Sequence, residues 1–199
     1  PDGQTLVSIS SSDANARLWE VASGSEQQAF QTEQYGGGGI AFKQNGESLI
    51  TGQSTGSIID WNIGTGNKTV WSKGHAKAVS DMAISPDGQF LATASGLDTG
   101  ALRLWDIARG EEKWRYDLTQ RRASSVAFTP DGTQVFAEID GVVMLLDAET
   151  GQRRRVFDGT GPAALSPSGE HAVTSGPDTL RLWDTETGKN LIKDDNYRM

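Results

Sequence analysis

Short apolar runs, alternating with polar residues and broken by glycine turns, extend along the whole chain, and no stretch carries sustained helical periodicity. Before each of four turns, two apolar residues flank a small one: Ile40-Ala41-Phe42, Met82-Ala83-Ile84, Val126-Ala127-Phe128 and Ala163-Ala164-Leu165. This period of two predicts a strand. The unvarying alanine predicts close approach of a neighbouring sheet. Beyond the turn, the third residue after glycine is apolar (Leu6, Leu49, Leu91, Val135, Ala172). The fifth is small or hydroxylated (Ser8, Thr51, Thr93, Ala137, Thr174), which predicts a second strand. A third strand runs into a tryptophan, as in Ala101-Leu102-Arg103-Leu104-Trp105, and a fourth follows the next glycine turn, as in Glu112 to Tyr116. The period is four short antiparallel strands.

Three motifs keep this period. A turn reads Pro1-Asp2-Gly3, Gln44-Asn45-Gly46, Pro86-Asp87-Gly88, Pro130-Asp131-Gly132 and Pro167-Ser168-Gly169. Proline pre-sets φ there, aspartate bonds the backbone and glycine accepts positive φ. A second motif reads Leu18-Trp19-Glu20, Asp60-Trp61-Asn62, Leu104-Trp105-Asp106, Leu145-Leu146-Asp147 and Leu182-Trp183-Asp184. Ser23-Gly24, Thr65-Gly66, Arg109-Gly110, Thr150-Gly151 and Thr187-Gly188 follow it. Positions 19, 61, 105, 146 and 183 lie 42, 44, 41 and 37 residues apart, a spacing that marks a repeat protein. One four-stranded unit cannot shield both of its faces, so such units must pack face to face around an axis.

These residues resemble the WD-repeat family over essentially the whole chain, most closely from Val79 to Asp106. The resemblance implies an all-β fold, a β-propeller of four-stranded antiparallel blades. The expected blades are 1–34 (partial, lacking its innermost strand), 35–73, 74–119, 120–158 and 159–194. The segment is thus expected to hold about four complete blades and one partial one. It would form part of a larger propeller of seven or more blades, completed by further chain or by another copy. The density of Ser-Pro-Asp-Gly turns is similar to bacterial members of the family.

The chain has 199 residues and a net charge of −8, which argues against a surface that tracks nucleic-acid phosphates. It has no cysteine, which excludes disulfides, thiolate metal ligands and a cysteine nucleophile. No apolar run approaches the roughly 18 residues of a membrane-spanning helix. Composition does not fix a compartment; the cytoplasm is the default.

The resemblance places His75 in a buried hydrogen-bond network with Thr93, Asp98 and Trp105. The indole donates to the hydroxyl, the hydroxyl bonds the imidazole, and the carboxylate fixes the ring. The set superficially resembles a catalytic relay, but the structural role is the expected one. Elsewhere Leu146 replaces the tryptophan and Thr55 stands where an aspartate is expected, so these repeats are expected to rely on apolar packing. His171 reads as a strand position rather than a ligand, because a metal site needs further ligands nearby. Gly36 to Gly39 lack the Lys-Ser or Lys-Thr of a phosphate loop and read as a flexible connection. Arg153-Arg154-Arg155 and Arg121-Arg122 read as solvated charge.

No catalytic, cofactor or metal site is expected. The family implies a protein-interaction scaffold, with a structural subunit of a large assembly or a sensor domain fused to a catalytic partner as alternatives. Binding residues concentrate in loops on a rigid scaffold. Tyr35, Lys77, Arg121 and Arg122 in inter-blade loops, with Asp140 in a strand turn, are the candidates for a protein-binding face. Tyrosine and arginine are favoured at such interfaces.

Overall fold

The computed structural model describes residues 2–10, 13–32, 38–71, 74–96, 99–119, 121–159, 163–176 and 179–192, and among these there is no helix. Eighteen strands form five antiparallel sheets in chain order. The first sheet holds β1 (Thr5–Ser10), β2 (Asn15–Glu20) and β3 (Glu26–Gln31). The second holds β4 (Ile40–Phe42), β5 (Ser48–Gly52), β6 (Ile58–Asn62) and β7 (Lys68–Trp71). In the third are β8 (Val79–Ile84), β9 (Phe90–Ser95), β10 (Thr99–Asp106) and β11 (Glu111–Thr119). The fourth has β12 (Ala123–Phe128), β13 (Gln134–Ile139), β14 (Val142–Asp147) and β15 (Arg153–Asp158). The fifth has β16 (Ala163–Leu165), β17 (His171–Ser175) and β18 (Leu180–Asp184).

Three sheets are therefore four-stranded, and the first has the three strands expected of it. The fifth has three strands. Among the described residues a single bridge, Trp183 to Asn190, follows them.

The core lies between the sheets. Ala16, Leu18 and Phe30 of the first sheet meet Leu49, Ile59 and Trp61 of the second. Ile50, Ile58 and Trp71 meet Val79, Met82, Leu91 and Trp105. Two further junctions join the third sheet to the fourth and the fourth to the fifth. Successive strand residues point to opposite faces, so one strand serves two junctions. Leu49 faces backward and Ile50 forward; Leu91 faces backward and Ala92 forward; Val135 faces backward and Phe136 forward. That is why the second strand of each repeat reads as a continuous apolar run. An aromatic on the outer strand packs against the tryptophan of the next sheet in three junctions. Ring centroids are 5.5 Å apart for Phe30 and Trp61, 6.1 Å for Trp71 and Trp105, and 5.6 Å for Phe157 and Trp183.

The innermost strands are cross-linked. Ser80 Oγ donates to the Ala123 carbonyl at 2.6 Å, and Asp81 Oδ2 accepts from the Val126 amide at 2.9 Å. A Cβ on Gly38 would sit 2.7 Å from the Ser80 carbonyl oxygen. At this position the glycine run is a close backbone approach rather than the flexible connection expected; Gly36 and Gly37 lie outside the described residues.

Gly56, in the β5–β6 turn, combines φ of +88° with a site where a Cβ would overlap the carbonyls of His75 and Lys77. Gly3 has φ of +73° but open space around it. Gly3→Ala should therefore cost only the left-handed penalty of about 1–2 kcal/mol. Gly56→Ala should cost clearly more, and thermal unfolding of the two variants side by side measures the difference.

Candidate functional site

Antiparallel pairing sends the β5–β6, β9–β10 and β13–β14 turns, with the inter-sheet connections, to one end of the sheets. The glycine turns go to the other. His75 enters from the connection between β7 and β8. Its Nε2 lies 2.7 Å from Thr93 Oγ1, and Trp105 Nε1 donates to the same oxygen at 2.9 Å. The indole can only donate, so Thr93 accepts from it and keeps its own hydrogen for the imidazole. Asp98 lies outside the described residues, and His75 Nδ1 is buried with no hydrogen-bond partner among them. Burial, then the charges of Arg103 and Arg115, lower the His75 pKa to about 3. The imidazole is therefore neutral near pH 7 and enclosed together with the buried Thr93.

The same bond recurs where the sequence departs from the pattern. Trp19 Nε1 donates to Ser8 at 2.8 Å, Trp61 to Thr51 at 2.9 Å and Trp183 to Thr174 at 2.9 Å. The third member changes with the sheet. Buried Gln53 donates to Thr51 at 2.7 Å, and Thr174 donates to the Asp158 carbonyl at 2.9 Å. Among the repeats expected to rely mainly on apolar packing, the fourth sheet alone lacks this bond. There Leu146 replaces tryptophan and Ala137 replaces the hydroxylated residue, both wholly buried. The two changes belong together, because a lone buried hydroxyl would go unpaired. Gln53 was not singled out in the sequence; its only signal is a polar residue two positions beyond Thr51 in an otherwise apolar run.

The residue after the tryptophan closes the following turn. Asp147 Oδ1 accepts from the Thr150 amide and hydroxyl, both at 2.8 Å. Asp184 does the same with Thr187, and Asn62 with Thr65. Bonds from Arg154 and then Thr150 hold Asp147 down at about pKa 2. The arginine run is thus not solvated charge throughout. Arg154 pairs with Asp147 at 2.6 Å. Arg155 reaches across to the fifth sheet, donating to the Thr187 carbonyl at 2.9 Å and to that of Glu186.

Of the candidate binding residues, Arg122 and Asp140 come together. The Asp140 amide donates to the Arg122 carbonyl at 3.0 Å, and Asp140 Oδ1 accepts from the Arg122 amide at 3.2 Å. These bonds hold Asp140 at φ of +46°, a left-handed value unusual for a non-glycine residue. Arg121 adjoins them, and Lys77 stands on the neighbouring connection at the same end; all four are exposed. Tyr35 lies outside the described residues. His171 is half-buried on β17 opposite Asp184. No group of three metal-ligating side chains, and no helix able to cross a membrane, occurs among the described residues.

Residues 67–106 match the family model for the WD domain, G-beta repeat. The matched stretch runs from β7 through β10 and so contains the Trp71–Trp105 contact between two sheets. Repeat, sheets and match together support a WD-repeat family for the chain. WD repeat-containing protein SL1-17 of Schistosoma mansoni is 25% identical over 181 residues, 87% of this chain and 60% of that protein. Eukaryotic translation initiation factor 3 subunit I of Aspergillus fumigatus is 27% identical over 161 residues, 77% of this chain and 45% of that protein. Nuclear distribution protein PAC1 of Arthroderma otae is 27% identical over 211 aligned residues, 99% of this chain and 42% of that protein. The chain thus spans about half the length of these curated relatives. All three come from eukaryotes, so the similarity to bacterial members draws no support from them.

Removing or adding one member of the tryptophan–hydroxyl pair should be costly. Thr93→Val should lose about 1–3 kcal/mol by stranding two buried groups. Ala137→Thr should destabilise the fourth sheet, and adding Leu146→Trp should recover part of that loss. A urea-denaturation double-mutant cycle reads the coupling, and additive losses would contradict the pairing.

His75 also sets a pH dependence. Below pH 6.5 the unfolded chain binds a proton that folded His75 refuses until about pH 3. Stability should therefore fall as pH drops through this window, by up to about 1.4 kcal/mol per unit. His75→Gln should shrink the difference in unfolding midpoint between pH 7.5 and pH 5.

Proposed function

We propose that the chain is a non-catalytic platform for protein–protein contact, formed by blades at 1–34, 35–73, 74–119, 120–158 and 159–194 of a larger propeller. The observation that carries this reading is the braced loop end. Lys77, Arg121, Arg122 and Asp140 are exposed at this end, and the Arg122–Asp140 bonds tie down the backbone of the two connections that carry the last three. A surface held in one conformation loses little entropy when a partner binds. The buried character of His75 and Thr93 favours binding over catalysis, since the one set resembling a relay is enclosed. One relative's name describes a subunit of a multi-subunit translation factor, which fits a role within protein complexes.

The test is affinity capture with the wild-type chain and a Lys77→Glu, Arg121→Glu, Arg122→Glu variant. The variant should keep its unfolding temperature and lose at least one stable partner. An unchanged set of partners would move the contact face elsewhere; turnover of a substrate by the wild-type chain would overturn the non-catalytic reading.

A further inference from the structure

The loop end gathers exposed cations. On and beside the strands, Lys43 pairs with Asp60, Arg103 with Glu112, Lys113 with Glu149 and Arg154 with Asp147. Lys77, Arg121 and Arg122 are exposed, and none of them pairs with a carboxylate of the described residues. Close packing fixes where they stand. Lys77 lies just before β8, and Arg121 and Arg122 just before β12. Ser80 Oγ donates to the Ala123 carbonyl at 2.6 Å, which ties these two strands together beside the cations. Chain length then keeps the Cα atoms of Lys77 and Arg122 within roughly 23 Å of each other. A Cβ on Gly100 would overlap the Arg121 carbonyl, and one on Gly96 would sit 2.9 Å from Arg122 Cγ. Both glycines thus let the arginine pair lie against the third sheet. The Asp140 carboxylate at this end already accepts from the Arg122 amide.

We propose that this cluster docks an extended acidic segment of a partner protein, with carboxylates spaced to meet Lys77 on one connection and Arg121 or Arg122 on the other. The span between the connections corresponds to at most about seven extended residues. The inference rests on the reading of this end as a platform for protein contact and names the chemistry of what it receives. The net charge of −8 decides what kind of anion fits. Salt screens exposed charges beyond about 8 Å at physiological ionic strength. Carboxylates touching the cluster therefore feel its cations more than the distant acids. A nucleic-acid strand carries phosphates well past the cluster, onto a chain with 26 acidic residues against 18 basic ones. Tight binding of that kind needs many phosphate contacts. A short acidic segment meets the cations without the wider repulsion. Arginine adds geometry to charge, since its fork takes a carboxylate through two parallel bonds.

Selection of random displayed peptides of about eight residues on the intact protein tests the proposal. Peptides with two or more aspartates or glutamates should be enriched on the wild type. The enrichment should vanish on a variant carrying Lys77→Gln, Arg121→Gln and Arg122→Gln, whose unfolding temperature should be unchanged. For one enriched peptide labelled with fluorescein, each single glutamine substitution should weaken binding about two- to fivefold by anisotropy. Added salt should weaken it as well. Arg153→Gln removes an exposed cation at the other end of the sheets and should change nothing. A selection without acidic enrichment, or one whose acidic peptides the triple variant still binds, would overturn the acidic partner. Selected neutral or basic peptides that the triple variant loses would leave the platform reading standing and remove only the acidic partner. A labelled single-stranded DNA of similar length that binds more tightly than the acidic peptide would put a nucleic acid in its place.

Discussion

In the second, third and fourth sheets each middle strand buries side chains on both of its faces, and no sheet owns a core of its own. Leu91 and Ala92 are adjacent in sequence, yet they belong to different hydrophobic clusters. Burial of a large aliphatic side chain stabilises by about 1.5–3 kcal/mol, and here that gain exists only when a neighbouring sheet is present. Stability is consequently a property of junctions, close to a sum over nearest neighbours. The family repeat reflects this: residues 67–106 cross a junction rather than coincide with one sheet.

Polar chemistry is arranged to serve the same junctions. A tryptophan placed between sheets brings an indole N–H into a dry environment, where leaving it unpaired is costly. The serine or threonine on the adjacent strand removes that cost in four sheets. The fourth sheet removes both groups at once. What the hydroxyl meets next is free to vary among an imidazole, an amide and a backbone carbonyl, because any of them satisfies it. The His75 set is one solution among several, which weighs against a chemical role peculiar to it.

At the outer rim the aspartate that follows the tryptophan closes a turn, and the glycine of that turn lies against the preceding sheet. A Cβ on Gly151 would collide with the Trp114 ring, and one on Gly188 with Arg155. Tryptophan, aspartate and glycine thus keep a fixed spacing because one residue packs the junction, the next shapes the turn, and the third lets the sheets approach. At the opposite end Gly56 likewise lets the β5–β6 turn lie against the His75 and Lys77 carbonyls, while the side chains of Lys77, Arg121, Arg122 and Asp140 stay exposed.

Strand period, turn chemistry and the count of repeats were legible from sequence, because the side-chain alternation of a strand and the positive φ of a glycine turn are local properties. The hydroxylated position facing each tryptophan was visible too, since it recurs at a fixed offset. Tertiary structure decided the rest. Gln53 substitutes for histidine from a different place in the repeat, so no motif search finds it. Arg155 looked like free charge until the fifth sheet brought carbonyls to it. The contrast between enclosed Leu91 and exposed Leu6 depends on which sheets stand beside which. A repeat specifies its own strands, but burial is a relation between two surfaces, and only the folded chain shows which surfaces meet.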